Sequence, residues 1–131
     1  MKQRDPATAE SFLTRALAIY EKTLDANHPS IGNVLQSFGE VRLCQDASAE
    51  AASLFERALS IHQAALGAAH PNVGYDLLGL AELHIRRGDN EKADGLLRQA
   101  AKILENGLGP AHPDVLGCRA KIDTLAQRNS S

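Results

Sequence analysis

The chain has no tryptophan, two tyrosines and three phenylalanines in 131 residues. That scarcity removes the aromatic platforms on which proteins stack the bases of single-stranded nucleic acid. An excess of either charge is also missing. With 14 basic and 16 acidic residues the formal net charge is −2, so no general field draws the chain to nucleic acid or to an anionic membrane. No apolar run approaches the roughly 18 residues of a membrane span, and Met1 to Pro6 leads into no signal-type apolar core. There are only two cysteines, Cys44 and Cys118. They read as reduced thiols on helices rather than as a disulfide framework, which points to a cytoplasmic protein. Phosphate-binding glycine loops and Ser/His/Asp arrangements are absent as well, so neither an enzyme nor a cofactor is expected.

What the chain does have is a period. His28-Pro29, His70-Pro71 and His112-Pro113 follow one another at intervals of 42 residues, and residues 11–35 laid over 53–77 without a gap match at 11 of 25 positions. Self-similarity at a fixed period of this length signals stacked repeats, in which each unit buries its apolar face only against its neighbours. Such stacks present surface to a partner.

Apolar spacing is helical throughout, with no sustained strict alternation. Proline and glycine then divide the chain into six predicted helices, over about 6–24, 29–45, 47–66, 71–88, 90–108 and 113–128. Asp5 is the expected N-cap of the first, with Pro6 at its first position, where the missing N–H costs nothing. Gly67 and Gly109 are expected to end the third and fifth helices. Asp25 takes the glycine's place in the first period, because Asp tolerates the left-handed region better than most residues. The tail at 129–131 is expected to fray. Short connections force consecutive helices antiparallel, so the predicted fold is all-α, a solenoid of antiparallel helix pairs. It comprises a half repeat at 6–24, repeats at 29–66 and 71–108, and a half repeat at 113–128, in one domain.

The residues within a period carry a resemblance. Leu77, Leu80, Ala81, His84, Gly88, Ala93, Leu97 and Ala100, with Leu35, Phe38, Gly39, Ala51, Phe55 and Ala58 in the period before, resemble the pattern of the tetratricopeptide repeat. Arg42 and Asp46 depart from it, standing where the family usually has an aromatic residue and a glycine. The longer period and the phrase Leu-Gly-x-x-His-Pro, at 66–71 and 108–113, resemble the kinesin light chain variety.

The resemblance implies that the first helix of each period lines a concave groove. Mapped residue by residue, that groove comprises Asn33, Gln36, Ser37, Glu40, Leu43 and Cys44, then Tyr75, Leu78, Glu82, Ile85 and Arg86, and finally Ala120, Lys121, Thr124 and Arg128. Kinesin light chains usually carry paired asparagines there that hold a peptide backbone. The corresponding pairs here are Gln36-Ser37 and Leu78-Gly79, of which only the first could act similarly. Tyr75, Leu78, Glu82 and Ile85 share one face of the fourth helix, while Val73, Leu77, Leu80 and His84 form a second stripe. One stripe must face the paired helix, and the other is either buried between flanking helices or open to a partner. Arg86, Lys121 and Arg128 either attract an acidic peptide or are ordinary solvated charges.

Other constellations read as structural. Histidines one repeat apart are separated by about two helix diameters, too far for the roughly 2 Å bonds of a shared metal, so each is expected beside a helix N-terminus, ordering its loop. His62 and His84 have no ligands at metal-binding spacing. At the C-terminal end, Arg119, Ile122, Asp123 and Ala126 would meet a following helix, and two of the four are charged, as in a capping helix. The first helix shows no such relief, since Phe12, Leu13, Ala16, Leu17, Ile19, Tyr20 and Leu24 cover more than one face. Either it self-associates, chiefly through Phe12, Leu13, Ala16 and Tyr20, or the chain is part of a longer array. The expected function is non-catalytic binding of a protein or peptide in the groove. The alternative is an oligomerising or sensing segment of a larger signalling protein.

Overall fold

A computed structural model describes residues 6–130, with side chains for 7–128. The expected Asp5 cap and the last residue of the tail lie outside the described residues. Six α-helices follow in order: α1 (Pro6–Thr23), α2 (Pro29–Cys44), α3 (Ser48–Leu66), α4 (Pro71–Arg86), α5 (Asn90–Leu108) and α6 (Pro113–Ser130). The bounds of α4 and α5 are those of α2 and α3 moved on by 42 residues. No strand occurs among the described residues. Contrary to the expected fray, α6 stays helical through Ser130.

The histidine of each His-Pro step sets the start of an inner helix. Nδ1 of His28, His70 and His112 accepts the backbone N–H of Ser30, Asn72 and Asp114, each at 3.1 Å. This satisfies one of the donors that a helix start leaves without a partner, and the following proline removes another. Each step is closed by the same turn, in which the histidine N–H bonds the carbonyl of Asp25, Gly67 or Gly109 at 3.0, 3.2 and 3.3 Å.

Gly67 and Gly109 hold φ of 92° and 97°, a backbone region that only glycine occupies without strain. The expectation for Asp25 fails, because its φ is not positive and the first period makes the turn without a left-handed residue. Among the described residues the non-glycine residue with positive φ is Asp46, at φ 58°, in the place that Gly88 (φ 79°) fills one period later. Arg42, the other departure from the repeat pattern, ties three helices together. It reaches Glu10 of α1 at 2.8 Å and Glu50 of α3 at 3.0 Å, and its guanidinium lies 5.1 Å from the centre of the Phe38 ring. The Arg42 guanidinium, followed by the Gln45 side-chain amide, holds the Glu10 carboxyl below its usual range.

Each helix packs on the next, and α2 also touches α4. The result is two layers, with α2, α4 and α6 on one side and α1, α3 and α5 on the other. The interior is continuous between the layers. Ile31, Leu35, Ala58 and Ile61 fill the first period, and Ala93, Leu97, Leu104 and Val115 are among those filling the last. Phe55, 1% exposed, lies where α2, α3 and α4 meet, and Gly39 and Gly79 make room for its ring. A Cβ at Gly39 would stand 2.9 Å from the ring, and one at Gly79 only 2.4 Å.

Candidate functional site

The α2, α4 and α6 layer presents the residues assigned to the groove, and it divides into two unlike halves. In the half nearer the C-terminus most side chains are already engaged. Tyr75, Leu78 and Ile85 are partly buried and pack against the cluster between α5 and α6. Their stripe is therefore covered from one side by α6, while Val73 and Leu77 of the second stripe bury against Ala100 of α5. The Tyr75 hydroxyl donates to Asp114 of α6. Burial, and then the neighbouring Asp114, push that phenol up to about 12.

The expected cations are occupied as well. Arg86 donates to the Leu43 carbonyl at 2.9 Å and reaches Asp46 and Glu82, each at 3.4 Å. Lys121 lies 3.5 Å from Glu82. Arg128 is exposed near the end of α6. Leu43 departs from the groove assignment, being buried in the cluster of Ala51, Phe55 and Leu83.

The half nearer the N-terminus is built differently. Asn33 and Glu40 are exposed and Gln36 is half-buried. Beneath them lies a fully buried pair, His62 of α3 and Asp76 of α4, each 0% exposed. His62 Nδ1 stands 2.5 Å from Asp76 Oδ2, and His62 Nε2 stands 3.0 Å from Asn33 Oδ1. Gln36 donates to Asp76 Oδ1 at 2.8 Å and to the Asn72 carbonyl at 3.2 Å. The Asn72 side-chain amide donates to Asn33 Oδ1 at 3.1 Å. Three helices thus converge on one polar network whose outer members are surface amides. Glu40 borders it, and its crowded position on this wall together with the Asp76 carboxylate raises its pKa.

Sequence reasoning missed Asp76 and left His62 without partners. The signal was in the repeat alignment. Position 62 falls on Leu104 one period later, and 76 falls on Cys118, both buried among apolar side chains. Gly32 makes room for the His62 ring as Gly74 does for Leu104. One of two equivalent sites is therefore polar and the other is apolar.

The ends also differ. On α1, Phe12 is 64% and Ile19 59% exposed, whereas their equivalents one period on are half-buried Leu54 and Ile61 at 3%. Leu13, Ala16 and Tyr20 are half-buried. A cleft of about 280 Å³ between α1 and α2 is lined by Phe12, Leu13, Glu40 and the exposed Cys44. On α6, Ile122 was expected to face outward, but it is buried against α5, and Leu116 is the exposed apolar residue instead. The Cys118 thiol is raised by burial. Among the described residues no group of three or more His, Cys, Asp or Glu side chains could hold a metal ion, and no helix is long and apolar enough to cross a membrane.

Paired antiparallel helices in two layers, with a partly exposed amide row on the inner one, define an α-solenoid of the helical-repeat class. The sequence profile of the tetratricopeptide repeat matches residues 1–64 and 45–106, and the chain belongs to that family. Tetratricopeptide repeats mediate protein–protein interaction. Among solved structures, the chain is similar to the nearly identical TPR-like repeats of a putative kinesin light chain from Podosopora anserina. The TM-score is 0.80 at 26% identity, over 95% of this chain and 59% of that one. A single-substitution form of the same repeats matches at TM-score 0.80 and 25% identity, with the same coverage. The chain thus spans about 59% of the length of these relatives. A search of curated protein sequences gives no match.

Proposed function

We propose that this chain is a non-catalytic interaction module that holds an extended peptide segment of a partner protein on the α2/α4/α6 face, with the contacts centred on Asn33, Gln36, Glu40 and Asn72. The observation that carries this reading is the amide row. Asn33 Nδ2 and Asn72 Oδ1 are left unused by the network that fixes these side chains, so a donor and an acceptor stand ready beside each other. A peptide bond offers the complementary acceptor and donor, and prepositioned amides spare it the entropy of ordering them. Leu78, Ile85 and Arg86 are supporting positions, because their burial and ion pairing already commit them within the fold. The stack of half repeat 6–24, repeats 29–66 and 71–108 and half repeat 113–128 works as one domain, and its free thiols suit a reducing cytoplasm.

Peptides selected on the wild-type protein by phage display test this reading. Asn33→Ala combined with Asn72→Ala should weaken them about tenfold or more, with helicity by circular dichroism unchanged. Unchanged affinity removes the amide row from the interface.

The exposed Phe12 and Ile19 favour a second reading, in which two copies associate through α1. Sedimentation of the wild type and of Phe12→Glu/Ile19→Glu tests it, with a concentration-dependent dimer expected in the first and a monomer in the second. A wild-type monomer at every concentration rejects it.

A further inference from the structure

We propose that His62 and Asp76 are positioning residues for this groove, and that the number of protons they share decides which atoms Asn33 and Asn72 turn toward a bound peptide. The proposal rests on the groove reading above and adds its regulation.

The hydrogen count follows from the contacts and the amide orientations. With Asn33 Oδ1 accepting from Asn72 Nδ2, His62 Nε2 at 3.0 Å faces an acceptor and donates a hydrogen to it. The 2.5 Å contact between His62 Nδ1 and Asp76 Oδ2 needs one more. With the amides oriented this way the pair holds two protons and carries no net charge, whereas flipping both amides fits the same contacts with one proton. In this state Asn33 offers N–H and Asn72 offers C=O to the groove. Removing one proton leaves a bare Nε2 lone pair. Asn33 must then turn its NH2 inward to donate to it, Asn72 must turn its oxygen to accept from Asn33, and the pattern shown to a partner is reversed.

The groups facing His62 are few. From α2 come Asn33 and Gln36, with Glu40 beyond them raised in part by the Asp76 carboxylate, and from α4 come Asp76 and Asn72. Packing does not require the pair, because the next period fills the same two positions with Leu104 and Cys118. Replacing a buried ion pair by well-packed apolar residues is often neutral or stabilising, so this pair is assigned a role in the groove rather than in stability.

Nitrogen NMR of the His62 ring and of the Asn33 side-chain amide tests the linkage in the intact chain, titrated between about pH 5 and 9. Both ring nitrogens should carry hydrogen at the acidic end, and the Asn33 amide signals should move with the same midpoint as the ring. A peptide selected by phage display at about pH 6 should bind roughly fivefold more weakly above that midpoint. The variant His62→Leu/Asp76→Cys, which borrows the next period's residues, should bind it more weakly than the wild type at about pH 6 and with the same reduced affinity across the pH range. A His62 ring that never changes its proton count, an Asn33 amide indifferent to the ring's titration, or a variant that keeps the wild-type pH profile would each overturn the proposal. Failure to select any groove peptide instead removes the groove reading, and the NMR titration still decides whether ring and amide are coupled.

Discussion

Substituting Gly79 by alanine sets two effects of known size against each other. Alanine inside a helix is favoured over glycine by about 1 kcal/mol, so on an open helix surface the change stabilises. At position 79 the added Cβ would lie 2.4, 2.5 and 2.6 Å from three atoms of the Phe55 ring. Carbon atoms rest about 3.5–4.0 Å apart, so the ring must retreat by about 1 Å or the α3–α4 contact must open. The ring has nowhere to go. It is 1% exposed, and Gly39 on α2 also approaches it so closely that a Cβ there would already lie 2.9 Å away. Overpacking of this kind costs about 1–3 kcal/mol, and a ring approached closely by two helices belongs at the upper end. The expected net loss for Gly79→Ala is therefore about 1–2 kcal/mol, read as a lower urea midpoint with an unchanged slope. Gly95 of α5 is the control, because a Cβ there meets nothing within 4 Å. Gly95→Ala should raise stability by up to about 1 kcal/mol. Combining Gly79→Ala with Phe55→Leu should cost less than the two changes summed, since the smaller side chain vacates the contested space. A Gly79→Ala protein as stable as the wild type would refute the reasoning, because it would mean that the three-helix junction is not packed around this ring.

Three further outcomes follow from local chemistry. His70→Ala should cost about 1 kcal/mol in urea unfolding through loss of the α4 cap, while His70→Asn should recover most of it, since its side-chain oxygen can accept the same N–H. In a Tyr20→Phe background the tyrosinate ultraviolet band should emerge near pH 12 instead of the ordinary 10. Because that pKa is raised by folding, the stabilisation is complete below the ordinary value and is lost as pH rises through about 12. Asp114→Asn should bring the band part of the way down. Glu40 is also raised, so its ionised form weakens the fold once pH exceeds its elevated value. Glu40→Gln should therefore raise the urea midpoint at neutral pH, with the advantage vanishing near about pH 4.

Helix boundaries were legible because proline and glycine act locally. All four helices from 29 to 108 begin and end within two residues of the bounds expected for them. Asp25 misled because tolerance of left-handed geometry does not create a need for it, and the turn at 25–28 closes through the His28 N–H without it. The groove was legible as a set of helices but not as a set of free side chains. How far Tyr75, Leu78 and Ile85 are covered depends on the distance and crossing angle between α4 and α6, which no spacing along one helix encodes. Leu43 was lost to the core for the same reason. The His62–Asp76 pair escaped because its members lie on different helices and match no motif, although comparison of equivalent positions between periods isolates both.

A stack of identical repeats has a weakness as a binding surface, since an extended partner can slide by one period and make the same contacts again. In the binding mode proposed above, this chain would remove that degeneracy within two periods. Its first period buries a polar pair and exposes fixed amides, while the second buries Leu104 and Cys118 and closes its charges on one another through Glu82, Arg86 and Lys121. A segment seated on Asn33 and Asn72 that slips forward by 42 positions would meet Tyr75 and Asp114, already bonded to each other. Its backbone groups would then be desolvated without partners, and an unmade buried hydrogen bond costs about 1–3 kcal/mol. In the proposed binding mode the polar pair would therefore give the repeat array a single register, and the apolar pair in the next period would help to set it by offering no second seat.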